Sequence, residues 1–166
     1  MKSSYEVRAS KFVKLIAPFL CECNRVSEYM NAVEKFNIRY KRHVTVRFGL
    51  SRVALITSDY VIKIDYADTA WGGCEKDYDN YQDAKRDGFG YLFAPITPVI
   101  VMGRVFWIMP RIRCIGGRYN NDNDVYEYLT TEENDYLWDN EFGDLHSENY
   151  GWKNGHPVIV DYACRH

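Results

Sequence analysis

No run of the chain is apolar and long enough to span a bilayer, and the first residues, MKSSYEVRASK, carry no hydrophobic signal core. Cysteine is sparse and not paired by spacing. Cys21, Cys23, Cys74, Cys114 and Cys164 are odd in number and form no CxxC arrangement. With no secretion signal, they are expected to be reduced thiols in a cytoplasmic protein. Cys21-Glu22-Cys23 lacks further ligands at a zinc spacing. An excess of one charge is missing too. Lys and Arg number 21 against 23 Asp and Glu, a formal charge of −2, which argues against a chain built mainly to coat nucleic acid. The short cluster Arg39, Lys41 and Arg42 fits a solvated surface. Internal repeats and low-complexity segments are absent.

What is present is core material. Hydrophobic residues make up 46% and aromatics 16% of 166 residues, enough for a folded domain rather than a disordered chain. Residues 8–40 show helical spacing. Phe12, Val13, Leu15, Ile16, Phe19 and Leu20 form one apolar face, with Pro18 a kink, and Val26, Tyr29, Met30, Val33 and Phe36 form a second. Ser27 is the expected cap of that second helix. From His43 the period becomes two, predicting strands at 43–48, 52–57 and 60–65. A helix is expected from about Cys74 to Arg86, ended by Gly88 and Gly90. A hairpin of strands 96–101 and 105–109 follows. Residues 110–123 read as a connector. Helices are expected at 124–129 and 131–140, the second capped by a Thr130–Glu133 box. Asn154-Gly155 then marks a turn between two short strands.

The stretch with the most chemistry lies after these helices. Phe142-Gly143-Asp144-Leu145-His146-Ser147-Glu148-Asn149 has the form Asp-x-x-x-x-Asn, and Pro157-Val158-Ile159-Val160-Asp161 is an apolar strand closed by a second Asp. A carboxylate beside an attacking hydroxyl, with an amide and a second carboxylate for Mg²⁺, is what phosphoryl transfer requires. Further upstream, Lys63 shares a strand face with Val61 and Asp65, while Ile62 and Ile64 share the other. A surface lysine on an edge strand and a lysine that meets phosphates are both compatible with that position.

This pattern resembles the protein-kinase superfamily. Val61-Ile62-Lys63 is similar to the lysine motif of its third strand, and Met109-Pro110-Arg111-Ile112 is placed like the hinge. Gly143-Asp144-Leu145-His146-x-x-Asn149 resembles the catalytic loop of aminoglycoside and choline phosphotransferases and of small bacteriophage kinase-like proteins. The resemblance implies an α+β fold: a kinase-like N-lobe with a five-stranded antiparallel sheet plus helix, an N-terminal helical extension and a minimal, truncated C-lobe. The boundaries are 1–42 for the extension, 43–109 for the N-lobe, 110–123 for the hinge and connector, and 124–166 for the C-lobe.

It also implies roles. Lys63 would bind ATP phosphates and Glu75 would orient it, with Asp68, Asp77 and Asp79 as rivals in register. Gly49, Val61, Met109 and Ile112 would line the nucleotide site. Asp144 would be the base, with His146 an alternative, and Asn149 and Asp161 would hold Mg²⁺. The sequence departs from the family in its single loop glycine, Gly49, in Phe142 where the family has His, and in having no activation segment after Asp161. The expected function is a Mg-ATP-dependent phosphotransferase, a minimal Ser/Thr protein kinase, and the resemblance to bacteriophage proteins implies a phage-encoded one acting on host proteins. The alternative is a kinase-like binding module, a pseudokinase that docks on a host protein. Transfer of AMP and formation of a homodimer stay open. Neither a membrane nor nucleic acid is an expected partner.

Overall fold

A computed structural model describes residues 3–49, 51–66, 73–113, 125–142, 145 and 149–161. The chain divides into two compact units. Met1–Cys74 with Ile96–Arg111 forms the first, and Glu75–Pro95 with Ile112–His166 the second. Among the described residues no helix is long and apolar enough to cross a membrane.

The first unit opens with α1 (Ser4–Leu20) and α2 (Val26–Tyr40). α1 starts on a capping box, in which Glu6 accepts from the Ser3 backbone N–H at 2.5 Å. Its helical periodicity buries Ala9, Phe12, Val13, Ile16, Ala17 and Leu20. Pro18 lies within the last turn of α1, and the helix stops at Leu20. The cap expected at Ser27 is not used. α2 begins one residue earlier, and Glu28 accepts from the N–H groups of Asn24 (2.7 Å) and Arg25 (3.1 Å). A carboxylate that satisfies two orphan donors is a stronger start signal than one hydroxyl.

The five strands are β1 (Thr45–Phe48), β2 (Arg52–Ile56), β3 (Tyr60–Asp65), β4 (Thr97–Val101) and β5 (Arg104–Pro110). They form the antiparallel sheet expected from the sequence, in the order β1-β2-β3-β5-β4. Both helices lie on one sheet face: α1 contacts β3, β4 and β5, and α2 contacts β1. Val53, Leu55, Ile62, Ile64, Phe106 and Ile108 point into that core, where they join Phe12, Ile16, Tyr29 and Phe36. Arg104 ties the layers together. Its guanidinium donates to the carbonyls of Leu20 (2.7 Å) and Cys23 (3.1 Å) and to the Tyr29 hydroxyl. A cation on the last carbonyls of α1 satisfies acceptors the helix cannot.

In the second unit, helix α3 (Gly73–Arg86), whose first two residues belong to the first unit, ends at Gly88 (φ +91°), as its sequence predicts. The helix expected at 124–129 is only a 3₁₀ turn, Tyr126–Tyr128, while α4 (Thr131–Asp139) has the expected capping box. β6 (Tyr150–Lys153) and β7 (His156–Ile159) make a hairpin through Asn154 and Gly155, both at positive φ.

Candidate functional site

In the first unit, Lys63 sits on β3, the middle strand of the sheet, opposite Ala54 of β2 and Trp107 of β5. The period of two puts it on the face turned away from α1 and α2. It is only 6% exposed, so it is not a surface lysine on an edge strand. A lysine buried to this degree keeps its charge only with partners. Val61 shares its face and is half-buried. Met109, at the end of β5, is buried. Arg111 follows it and is anchored to the β2–β3 turn, its N–H donating to Asp59 O (2.9 Å) and its guanidinium to Thr57 O (2.8 Å). Gly49 closes the β1–β2 connection by donating to Arg52 O at 2.9 Å.

The last residue of β3, Asp65, accepts from the Cys74 N–H at 2.9 Å at the start of α3. This brings its carboxylate so close to Gly73 that an added Cβ would overlap it, with Asp65 Cγ 3.2 Å away. A carboxylate on the first N–H groups of a helix is favoured by the helix dipole as well as by the bond.

In the second unit, α3 carries the acidic residues named for the helix-carboxylate role. Glu75 is exposed, whereas Asp77 is fully buried and Asn80 is 4% exposed. Helical phase explains the difference. At 3.6 residues per turn, Cys74, Asp77, Tyr81 and Ala84 share a side that Glu75 leaves by nearly half a turn. Asp68, Asp144 and His146 lie outside the described residues. Phe142 and Leu145, on either side of Asp144 in the sequence, are both buried, and Phe142 packs on Phe93 at 5.0 Å between ring centroids.

The β6–β7 hairpin carries the backbone of Asn149 and Asp161 to the same end of one ladder. Tyr150 pairs with Ile159, and one step further out Val160 N donates to Asn149 O at 2.7 Å. The two residues therefore emerge from the same end of one ladder, and Asn149 is 9% exposed. β7 is held in place from its other side by Ala94 N donating to Ile159 O at 2.8 Å. Ile112 and Arg113 cross β6 at Gly151, where any Cβ would collide with the Arg113 carbonyl and come within 2.7 Å of Ile112 Cγ2. Glycine is required there by close approach, not by φ.

Among the described residues no three His, Cys, Asp or Glu side chains converge on a metal position. An amide oxygen and a carboxylate are hard donors that suit Mg²⁺, which is commonly held by one or two protein ligands plus phosphate oxygens. Asn149 and Asp161 fit that pattern and would not make a closed protein cage.

One polar cluster was not legible in the sequence. Glu133, 5% exposed, accepts at one carboxylate oxygen from the Tyr91 hydroxyl (2.8 Å) and from His156 Nε2 (3.1 Å). At the other oxygen it accepts from Thr130 N (2.7 Å) and Thr130 Oγ1 (3.0 Å). His156 also faces the Pro157 carbonyl through Nδ1 at 2.8 Å. Burial pushes the Glu133 carboxyl up, but its hydrogen bonds outweigh that and hold it below the ordinary value. Burial and the Glu133 contact push Tyr91 up to about 12. A cleft of about 690 Å³ that includes Tyr91 and His156 opens in the same unit, and neither Asn149 nor Asp161 lines it.

No protein-family model matches the chain, and no curated protein sequence matches it. Among solved structures it is similar to the aminoglycoside phosphotransferase APH(2'')-IIa in its ternary complex with streptomycin and ATP. The TM-score is 0.43 and the identity 12%, over 79% of this chain and 69% of that one.

Proposed function

We propose that the chain is a kinase-like, Mg-ATP-dependent phosphotransferase whose acceptor is a protein hydroxyl. The observation that carries this reading is the closure of Asn149 and Asp161 at one end of the β6–β7 ladder. Phosphoryl transfer depends mainly on positioning and charge neutralisation, so it needs metal ligands, a fixed cation and a base. Asn149 and Asp161 would hold Mg²⁺, which supplies charge neutralisation on the phosphates when bound. Lys63, withdrawn from water on the central strand, would supply the fixed positive charge. Asp144, five residues before Asn149, would take the acceptor proton.

A second reading keeps nucleotide binding but not turnover. It is favoured by the β1–β2 connection, where Gly49 is the single glycine available for a phosphate cradle. The test is transfer of label from γ-labelled ATP with Mg²⁺ to the chain itself or to a protein mixture. Loss of transfer in Asp161→Ala, Asn149→Ala and Asp144→Asn supports the phosphotransferase. A thermal shift with Mg-ATP but no transfer supports the binding module. Label arriving only from α-labelled ATP means AMP transfer. Neither shift nor label ends both readings.

A further inference from the structure

The first unit carries a groove of about 570 Å³ where α1, the end of α2 and the β2–β3 turn meet. Five basic residues line it: Arg8 and Lys11 from α1, and Lys41, Arg42 and His43 from the segment that leads into β1. Asp59 is the single carboxylate among its lining residues, and it already faces Arg8 at 3.5 Å. This concentration of positive charge stands out in a chain whose formal charge is −2. Between the cations, Leu15 is the exposed apolar residue of the lining, while Phe12, Val44 and Tyr60 belong to the core and show little more than an edge. The Phe12 and Tyr60 rings stand edge to face at 5.6 Å.

The basic segment is held in place. Asn37 grips Val44 twice, donating to its carbonyl (3.0 Å) and accepting from its N–H (3.1 Å), and Arg42 N donates to Asn37 O (3.1 Å). Lys41, the C-cap of α2, is left-handed at φ 49°, ψ 47°. Glycine takes that conformation without cost and is the usual residue there, whereas a side chain is strained. The chain thus keeps a lysine where folding alone favours glycine. Such an outlier points to a use for the side chain.

We propose that this groove docks an acidic segment of a partner protein that also carries a large apolar side chain. Carboxylates of the segment meet Arg8, Lys11, Lys41 and Arg42, and the apolar residue sits on Leu15. The lining favours a peptide over a single-stranded nucleic acid, whose bases need open aromatic faces to stack on: Phe12 and Tyr60 are each 8% exposed, and the open apolar surface is the aliphatic Leu15. The docking is independent of phosphoryl transfer and serves an acceptor or a non-substrate partner equally.

The test uses the full chain and a fluorescein-labelled peptide of repeated Glu-Glu-Leu-Asp, read by fluorescence anisotropy at low salt. A Gln-Gln-Leu-Asn peptide and a single-stranded oligonucleotide are the comparisons. The acidic peptide is expected to bind at least about tenfold more tightly than the neutral one, with affinity falling as salt rises. Lys11→Glu and Arg42→Glu each weaken it about tenfold, Leu15→Ser weakens it severalfold, and Lys85→Glu in the other unit leaves it unchanged.

Lys41→Gly separates binding from folding. It should raise the Tm by about 2–4 °C by relieving the left-handed strain and still weaken the peptide. Equal binding of neutral and acidic peptides overturns the proposal. So does tighter binding of the oligonucleotide with Leu15→Ser harmless, which would make the groove a phosphate-backbone site. If Lys41→Gly loses stability, the strain argument is wrong.

Discussion

Glu133 is expected to be the residue on which the stability of the second unit turns, and the type of substitution decides how much is lost. Its carboxylate accepts four hydrogen bonds while 5% exposed. Glu133→Leu removes both acceptor oxygens, and with them all four hydrogen bonds, in a similar volume. Thr130 is exposed, so its freed N–H and hydroxyl turn to water, and the broken half of the capping box costs about 1 kcal/mol. Tyr91 is 55% exposed, so its hydroxyl can return to water at little cost. With about 1 kcal/mol for the lost His156 contact, the sum is about 2 kcal/mol, or about 4–8 °C in Tm for a chain of this size.

Glu133→Gln should cost only about 1 kcal/mol. Its amide oxygen can still accept from Thr130, while its amide NH₂ can donate to the rotated Tyr91 hydroxyl. Because the Glu133 pKa is lowered in the fold, its contribution is present above the unfolded value and lost as pH falls through the folded one. Starting from the ordinary 4.5, the wild type therefore loses stability in the acid range below that pH, and Glu133→Gln removes that share of the loss. Urea unfolding followed by circular dichroism between pH 3 and 7 measures both effects. If Gln is as damaging as Leu, or the acid limb is unchanged in the Gln variant, the hydrogen-bond account of this cluster is wrong.

Three further outcomes follow from the same geometry. Tyr91, raised to about 12, adds stability that is complete below its ordinary 10 and disappears as pH rises through about 12; Tyr91→Phe should flatten that alkaline limb in a pH series of melts. Gly151→Ala forces a Cβ into the Arg113 carbonyl and should cost about 1–3 kcal/mol by overpacking, whereas Gly49→Ala, whose Cβ would meet nothing nearer than 3.6 Å, should leave the urea midpoint nearly unchanged. On α3, Asp77→Asn should abolish phosphoryl transfer and Glu75→Gln should spare it, since Asp77 is the carboxylate withdrawn from water; a label-transfer assay in which Glu75→Gln is the dead variant would return the role to Glu75.

Local signals in this chain translated faithfully into structure. The period of two over residues 43–65 gave the sheet its strands and their faces, so the side of β3 that Lys63 occupies was set by counting alone. Thr130 and Glu133 were recognisable as a cap because both partners lie within one turn. Ser27 misled because its competitor, Glu28, caps backward from inside the helix and satisfies two donors. Glu75 stood near the expected position in the sequence, but helical phase decides which carboxylate is buried, and the phase of α3 favours Asp77. His156 was illegible for another reason. Its partner is 23 residues away in sequence, and Tyr91, which shares that partner, is 42 residues from it.

The burial of Lys63 is informative because of what α1 and α2 do on the other face. Those helices supply a complete apolar core with Ile62 and Ile64, so folding of the first unit does not need the opposite face of β3 to be filled by a charge. A valine or leucine at 63 would continue a strand already rich in Ile and Val and would avoid the cost of desolvating an ammonium group. A structural ion pair in such a place is often no better for stability than the apolar residue that could replace it. Selection for folding alone therefore gives no reason to keep a lysine at this point, whereas a need for a fixed cation on a rigid strand does. The same logic applies to Lys41, where glycine would fold more easily. In both places the residue that costs stability is a positive charge, and under the two proposals made above the ligands would be negatively charged, phosphate at one and carboxylate at the other.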